Sequence, residues 1–339
     1  MRSFRLLAAG ASMAALVLSA CTTGGGASPT TAPTSPPPTA AAAKPAASPA
    51  AGASPSPAVA GGPRPTIKMG SANFPEQVIL GELYSQILEA NGYTIERHLN
   101  LGTREIVEPA LESGQIDMYP EYLATLETFL AGRANHPSGA TSDPAATARA
   151  LQEDLTPKNI TVLAYSQAQD ENGFVVTQDT ARKYNLSKMS DLQPVANQLV
   201  LGATPECPQR PFCLIGLMQT YGLNFKEFRP LDTGGPLTVQ ALLGGQIDVG
   251  LLFTTDANIT LNNFVLLEDD KHLQLADNIA PVVRNDILNR APDLKMLADR
   301  VSQTLTTADL TDLNKQVSID HRDAKDVAAD YLKAKNLAR

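Results

Sequence analysis

The chain has 339 residues, of which 43% are hydrophobic, 18% charged and 5% aromatic, and its formal net charge is −8. Four of the 27 Lys and Arg (Arg2, Arg5, Lys44 and Arg64) precede residue 66, whereas all 35 acidic residues follow it, so the segment 66–339 carries about −12. Such a surface argues against nucleic acid and anionic membrane as partners.

In chain order, the first 20 residues read as a secretory signal. Arg2 and Arg5 form a positive n-region, and an apolar stretch runs from Leu6 to Leu18. That stretch is shorter than the about 20 apolar residues a spanning helix needs. It ends in Leu18-Ser19-Ala20-Cys21, which resembles the lipobox of bacterial lipoproteins. The resemblance implies cleavage before Cys21 and lipid on that residue; an ordinary signal peptide that happens to contain a Cys is the alternative. Thr22 to Pro65 is low-complexity Ala, Pro, Ser, Thr and Gly, with Val59 its only larger aliphatic residue. It buries too little apolar area to offset its ordering entropy, and its prolines keep it extended. It reads as a tether, which places the remainder at the outer face of the cytoplasmic membrane.

The body from Thr66 to Arg339 is long enough for two lobes. Ile67 to Gly70 reads as a short strand. Pro75 then opens a helix in which Ile79, Leu83 and Ile87 recur at i, i+4, and Gly92 stops it. Tyr93 to Leu101 is the next strand, Glu105 to Glu112 the next helix, and Gln115 to Tyr119 a third strand. The pattern returns about 131 positions later, where Leu199 to Ala203 answers Ile67 to Ser71 and Ala241 to Asp248 answers Ala110 to Asp117. Alternating strand and helix predict α/β lobes with largely parallel sheets, and a ligand site beyond the C-terminal strand ends. Asp117 and Asp248 are expected to be structural. The tail from Pro292 reads as packing helices. Cys207 and Cys213, with five residues between them, predict a disulfide in an oxidising compartment, worth roughly 2 kcal/mol. A two-Cys metal site is the competing reading, without a nearby His to support it. His98, His136, His272 and His321 are scattered, and no nucleophile elbow, phosphate loop or zinc motif is present. Neither an enzyme, a metal nor a cofactor is expected.

The run Gly70-Ser71-Ala72-Asn73-Phe74-Pro75-Glu76-Gln77 resembles the opening of the glycine betaine/choline-type (osmoprotectant, quaternary-amine) substrate-binding proteins of ABC importers. So do Asn100-Leu101-Gly102-Thr103, Gly114-Gln115-Ile116-Asp117 continuing to Tyr119-Pro120-Glu121-Tyr122, Pro205-Glu206-Cys207, and Thr254-Thr255-Asp256. The likeness covers essentially all of 66–339. It implies a two-lobed periplasmic-binding-protein fold of type II, closing like a flytrap around two chain crossings. Lobe 1 is then 66–168 plus 275–339, and lobe 2 is 169–274. The implied partners are a small polar solute and an ABC permease–ATPase complex, with the protein itself a monomer.

The resemblance also carries a site. Family members hold a quaternary ammonium in an aromatic cage, because such a group has no N–H and ring faces are its best partners. Tyr122 matches a cage tyrosine, Thr125 the hydroxyl that meets the ligand carboxylate, and Arg210 the carboxylate-binding arginine. Asp170 falls at an acidic position beside the cage. Asn172, Phe253 and Asp277 fall where further aromatics are expected, and Ala72 stands where a lysine is common. The expected ligand is therefore a zwitterion or quaternary amine of the glycine betaine/choline class or a relative, with betaine and choline themselves bound more weakly than the native ligand. Arg210 as a solvated surface residue, Tyr122 and Phe253 as core, and Asp170 and Asp277 as loop acids are the competing structural readings. A lipoprotein that senses a solute for a membrane receptor is the alternative function.

Overall fold

The computed structural model describes residues 64–338; the signal segment, Cys21 and residues 22–63 of the tether lie outside the described residues. The chain opens with β1 (Thr66–Gly70), α1 (Pro75–Glu89), β2 (Thr94–His98), α2 (Arg104–Glu112), β3 (Met118–Tyr122), α3 (Leu123–Ala134), α4 (Pro144–Leu155) and β4 (Ile160–Val162). Next come β5 (Asn172–Val176), α5 (Gln178–Tyr184), β6 (Val200–Ala203), α6 (Gly216–Tyr221), β7 (Glu227–Pro230), α7 (Pro236–Leu243), β8 (Val249–Phe253), α8 (Asn258–Leu261) and β9 (Val265–Leu266). It ends with β10 (Ile279–Arg284), α9 (Asn285–Arg290), α10 (Leu294–Thr304), α11 (Thr307–Ser318) and α12 (Ala324–Ala334).

Two five-stranded sheets result, with strand orders β2-β1-β3-β10-β4 and β7-β6-β8-β5-β9. Each is mixed. The repeated strands pair in parallel, but β10 runs antiparallel to β3 and β4, and β5 antiparallel to β8 and β9. These two reversed strands are the first that the chain makes after passing from one sheet to the other. The passages themselves touch at an antiparallel bridge between Gln169 and Asn278.

Both faces of both sheets are buried. In sheet 1, Ile67, Met69, Ile279 and Val283 face a core built with α1 and the C-terminal helices, while Ala280 and Val282 face Val107, Leu111 and Leu126 of α2 and α3. The period of two that strands impose puts these sets on opposite sides. Each fully buried Leu or Ile contributes about 1.5–3 kcal/mol, and α1 buries Ile79, Leu80, Leu83, Ile87 and Leu88 completely.

The internal repeat has a physical basis. Asp117 Oδ2 accepts from the Lys68 N–H at 2.9 Å, and Asp248 Oδ2 from the Val200 N–H at 2.8 Å. Each acid therefore pins the turn leaving a helix to the strand that opens its repeat, β1 or β6. Gly114 and Gly245 make those turns at φ of 75° and 64°, a left-handed conformation that favours glycine. A Cβ on Gly70 would lie 2.4 Å from Ile116 Cδ1, and one on Gly202 2.5 Å from Ile247 Cδ1. Asp117 and Asp248 precede β3 and β8 rather than lying inside them, and β3 starts three residues later than the periodicity predicts.

Candidate functional site

A cavity of about 400 Å³ opens between the C-terminal ends of β1, β3 and β8. Tyr122, Thr125, Asp170, Asn172, Arg210, Phe253 and Asp277 all line it, as does Ala72. The sequence reading and the geometry thus converge on one place, but the roles inside it are distributed differently.

The aromatic surface is larger than expected. Phe74, the residue before α1, stacks on Phe253 at a centroid distance of 5.1 Å and on Tyr122 at 6.3 Å. Three rings, one before α1, one at the end of β3 and one at the end of β8, therefore stand side by side. Phe74 lies inside the opening run that carries the family likeness, yet only the stacking reveals its role. The Tyr122 hydroxyl donates to Glu76 Oε1 at 2.6 Å, which fixes that ring at the end of β3.

A second unexpected residue is Arg104, the first of α2. Its Nε and Nη2 donate to the two oxygens of Glu121 at 2.6 and 2.7 Å, and Nη2 also reaches Thr125 Oγ1 at 2.7 Å. Burial opposes the Arg104 charge, but the Glu121 carboxylate outweighs it and raises the guanidinium pKa. Glu121 also accepts from the Tyr119 hydroxyl and the Tyr122 N–H. Asp277, at an expected cage position, instead accepts the Thr125 N–H at 2.9 Å through Oδ1. Burial pushes its carboxyl up to about 7, against the pull of that N–H and of Arg104.

Asp170 belongs to a buried cluster. Its Oδ1 and Glu76 Oε2 each lie 2.8 Å from the one Thr255 hydroxyl, and Asn314 donates to both Glu76 and that hydroxyl. Asp170 Oδ2 is buried without a protein partner, and the two carboxyl groups lie within hydrogen-bonding reach of each other. Burial raises both pKa values, and the neighbouring Glu76 charge raises that of Asp170 further.

Arg210 is carried by the loop that Cys207 and Cys213 close; the two are disulfide-bonded, with Cα atoms 5.2 Å apart. Its guanidinium spans the cavity mouth to Glu105 of α2, with N–O distances of 3.0 to 3.3 Å. Burial resists the Glu105 charge, yet Arg210 holds that carboxyl below its usual range. Asn172, at the start of β5, does not replace an aromatic contact. Its Nδ2 donates to the Phe212 carbonyl and to Gln274, tying the same loop down. No group of three or more His, Cys, Asp or Glu placed to hold a metal occurs among the described residues. Nor is any described helix long and apolar enough to cross a membrane.

Comparison with known proteins agrees with this architecture. The glycine-betaine-binding protein of Pseudomonas aeruginosa is 31% identical over 285 residues, covering 80% of this chain and 88% of that protein. The glycine betaine-binding protein YehZ of Escherichia coli is 27% identical over 277 residues, covering 79% and 90%. A crystal structure described as a glycine betaine/carnitine/choline ABC transporter superposes with a TM-score of 0.64 at 25% identity, over 80% of this chain and 99% of that one. The two mixed five-stranded sheets are those of a type II periplasmic binding protein. Residues 65–334 match the family described as the substrate binding domain of ABC-type glycine betaine transport systems, and the chain belongs to that family of non-enzymatic binding proteins.

Proposed function

We propose that this protein captures a small quaternary-amine solute in the cavity between its two sheets and delivers it to an ABC importer. The observation that carries this reading is the row of Phe74, Tyr122 and Phe253 along one wall. Ring faces attract a cation that has no hydrogen to donate, by about 0.5–2 kcal/mol each. The relatives named for glycine betaine support the same solute class. The lobes of this reading are 66–168 with 275–339, and 169–274, with the site at their junction. Native mass spectrometry of protein purified without denaturation should show a retained small quaternary amine. Calorimetry should detect binding of at least one of glycine betaine, carnitine and choline, and no binding of all three would refute the solute class.

The same reading places the protein on the outer face of the cytoplasmic membrane, held by lipid on Cys21. Labelled palmitate should enter the wild type and not Cys21→Ala. Equal labelling of both would dismiss the anchor.

A further inference from the structure

We infer that the cavity continues along α3 into a second subsite, built on Phe129 and Phe212, and that this subsite selects a quaternary amine bearing a flat ring over glycine betaine. The inference rests on the proposed solute class and names the group that the solute carries beside its ammonium. Thr125, Thr128, Phe129, Gly132 and Arg133 all line the cavity. They recur at i, i+3, i+4, i+7 and i+8, and so share one face of α3. From Thr125 to Gly132 that face runs about 10 Å, given the rise per residue of an α-helix. Glycine betaine joins its ammonium to its carboxylate through one methylene group, so a molecule lodged against Phe74, Tyr122 and Phe253 leaves the far end of this face uncovered. The cavity volume of about 400 Å³ points the same way, since pockets of about 300–1,000 Å³ suit drug-sized ligands.

The far end is apolar and already formed. Its polar groups are taken: Arg133 donates to Glu108 and Glu112, and the Thr128 hydroxyl lies 2.9 Å from that of Ser138. What remains is ring surface. The Arg133 guanidinium lies over Phe129, 5.5 Å from the ring centroid, and neither Phe129 nor Phe212 stacks on another ring among the described residues. Phe212 is carried by the disulfide-closed loop, and its carbonyl accepts from Asn172 at 3.2 Å and from Gln274 at 3.0 Å. Its backbone is therefore held before any ligand arrives. Gly132 keeps the space open. Its backbone is ordinary right-handed helix, and a Cβ on it would meet nothing within 4 Å. Glycine is a poor helix former, so neither the helix nor its packing asks for glycine here; the missing side chain leaves room in the cavity. Unpaired ring faces beside such room suit a further ring, offset or edge to face.

The test compares glycine betaine with N,N,N-trimethylphenylalanine, which has the same ammonium and carboxylate and adds a benzyl group. Calorimetry on the whole protein should show the second binding at least about tenfold more tightly. Gly132→Leu should weaken the second by at least about tenfold and change glycine betaine by less than about threefold. Leucine favours helix over glycine, so this variant is expected to fold. Phe129→Leu, which keeps an apolar side chain without the ring face, should show the same selectivity. Equal affinity of the wild type for both solutes, or an equal loss of both in Gly132→Leu, would overturn the inference. If the wild type binds neither solute nor any other quaternary amine, the proposed solute class fails instead. The subsite is then read with benzyl alcohol, an uncharged ring, by saturation-transfer NMR: contact that is lost in Gly132→Leu upholds the subsite, and contact that is absent or unchanged overturns it.

Discussion

At the scale of single residues, the site is a set of side chains whose roles depend on distant partners. Phe74 shows this most directly. Its ring bridges Tyr122 and Phe253 while remaining partly exposed to the cavity. Phe74→Ala is therefore expected to leave the fold intact and to weaken quaternary-amine binding by at least about tenfold, more than one ring contact in a row of three would suggest alone, because both neighbours lose their stacking partner. Calorimetry on Phe74→Ala and Phe74→Leu checks this: equal affinity for both variants and the wild type would remove the ring from the site. Tyr122 ends a short linear run that resembles a known pattern, and Thr125 and Arg210 each lie three residues beyond such a run, which is why the sequence points to them. Phe74 also sits in such a run and Arg104 directly follows one, but their significance comes from convergence. Arg104 meets Glu121 and Thr125, and Phe74 meets the last residue of β8, and no local periodicity encodes either meeting. Asp277 and Asn172 read as missing aromatics in the sequence; in the structure each is a hydrogen-bonding tie that positions Thr125 or Phe212.

Among elements, the two Gly-Gln-Ile-Asp turns hold each sheet to the helix before it. Gly70 and Gly202 allow the isoleucine of each turn, Ile116 or Ile247, to lie directly against β1 or β6. Gly70→Ala would force Ile116 to move and should destabilise by about 1–3 kcal/mol. Ile116→Val deletes the clashing Cδ1 and should recover part of that loss. The same pair at Gly202 and Ile247 should recover less, because a Cβ there also meets Leu231 Cδ1 at 2.8 Å. Denaturant midpoints of the four single and two double variants test this, and full additivity in both pairs would contradict it. The parallel strands and their helices were legible because glycine turns and apolar periods repeat. The reversed strands β5 and β10 were not, since direction within a sheet has no local signature. The late start of β3 has a nearby cause: the Gln115 and Ile116 N–H groups both donate back to the Ala110 carbonyl of α2 rather than to a neighbouring strand. Pro120 sits within this central strand, where proline is rare, and it lies opposite Pro281 of β10, so that two missing donors face each other.

For the whole molecule, the contact of greatest consequence is the buried cluster joining α1, α11, the first passage and the end of β8. Glu76 and Asp170 share one Thr255 hydroxyl, which has a single proton to give. A further proton on the pair supplies what Asp170 Oδ2 lacks. The groups facing the pair are the Tyr122, Thr254 and Thr255 hydroxyls, the Thr255 N–H and the Asn314 amide, with Asp256 and His321 lining the adjoining groove, and no described Lys or Arg bonds to either carboxyl. The folded form thus binds a proton that the unfolded chain has released by neutral pH. Stability from this pair is therefore greatest at acid pH and falls as pH rises above the ordinary carboxylate range, because burial raises both carboxyl pKa values in the folded form. Asp277, pushed up to about 7, acts in the same direction. Melting temperatures should decline as pH rises above that range, and Asp170→Asn, which needs no proton, should flatten the decline. An unchanged slope in that variant would assign the effect elsewhere.

The position of β10 has a consequence for the order in which the protein is built. Sheet 2 draws all its strands from one continuous stretch, residues 172–266, whereas sheet 1 places β10 between β3 and β4. A polypeptide that emerges N-terminus first therefore holds an unfinished first half, with the edges of β3 and β4 unpaired, until the second half has already had its opportunity to assemble. Closing sheet 1 then joins segments more than 150 residues apart, as Met118 and Val283 do in register, and such long-range closure is slow. In the interval, the exposed edges of β3 and β4 are where a partly made molecule is open to pairing with another copy.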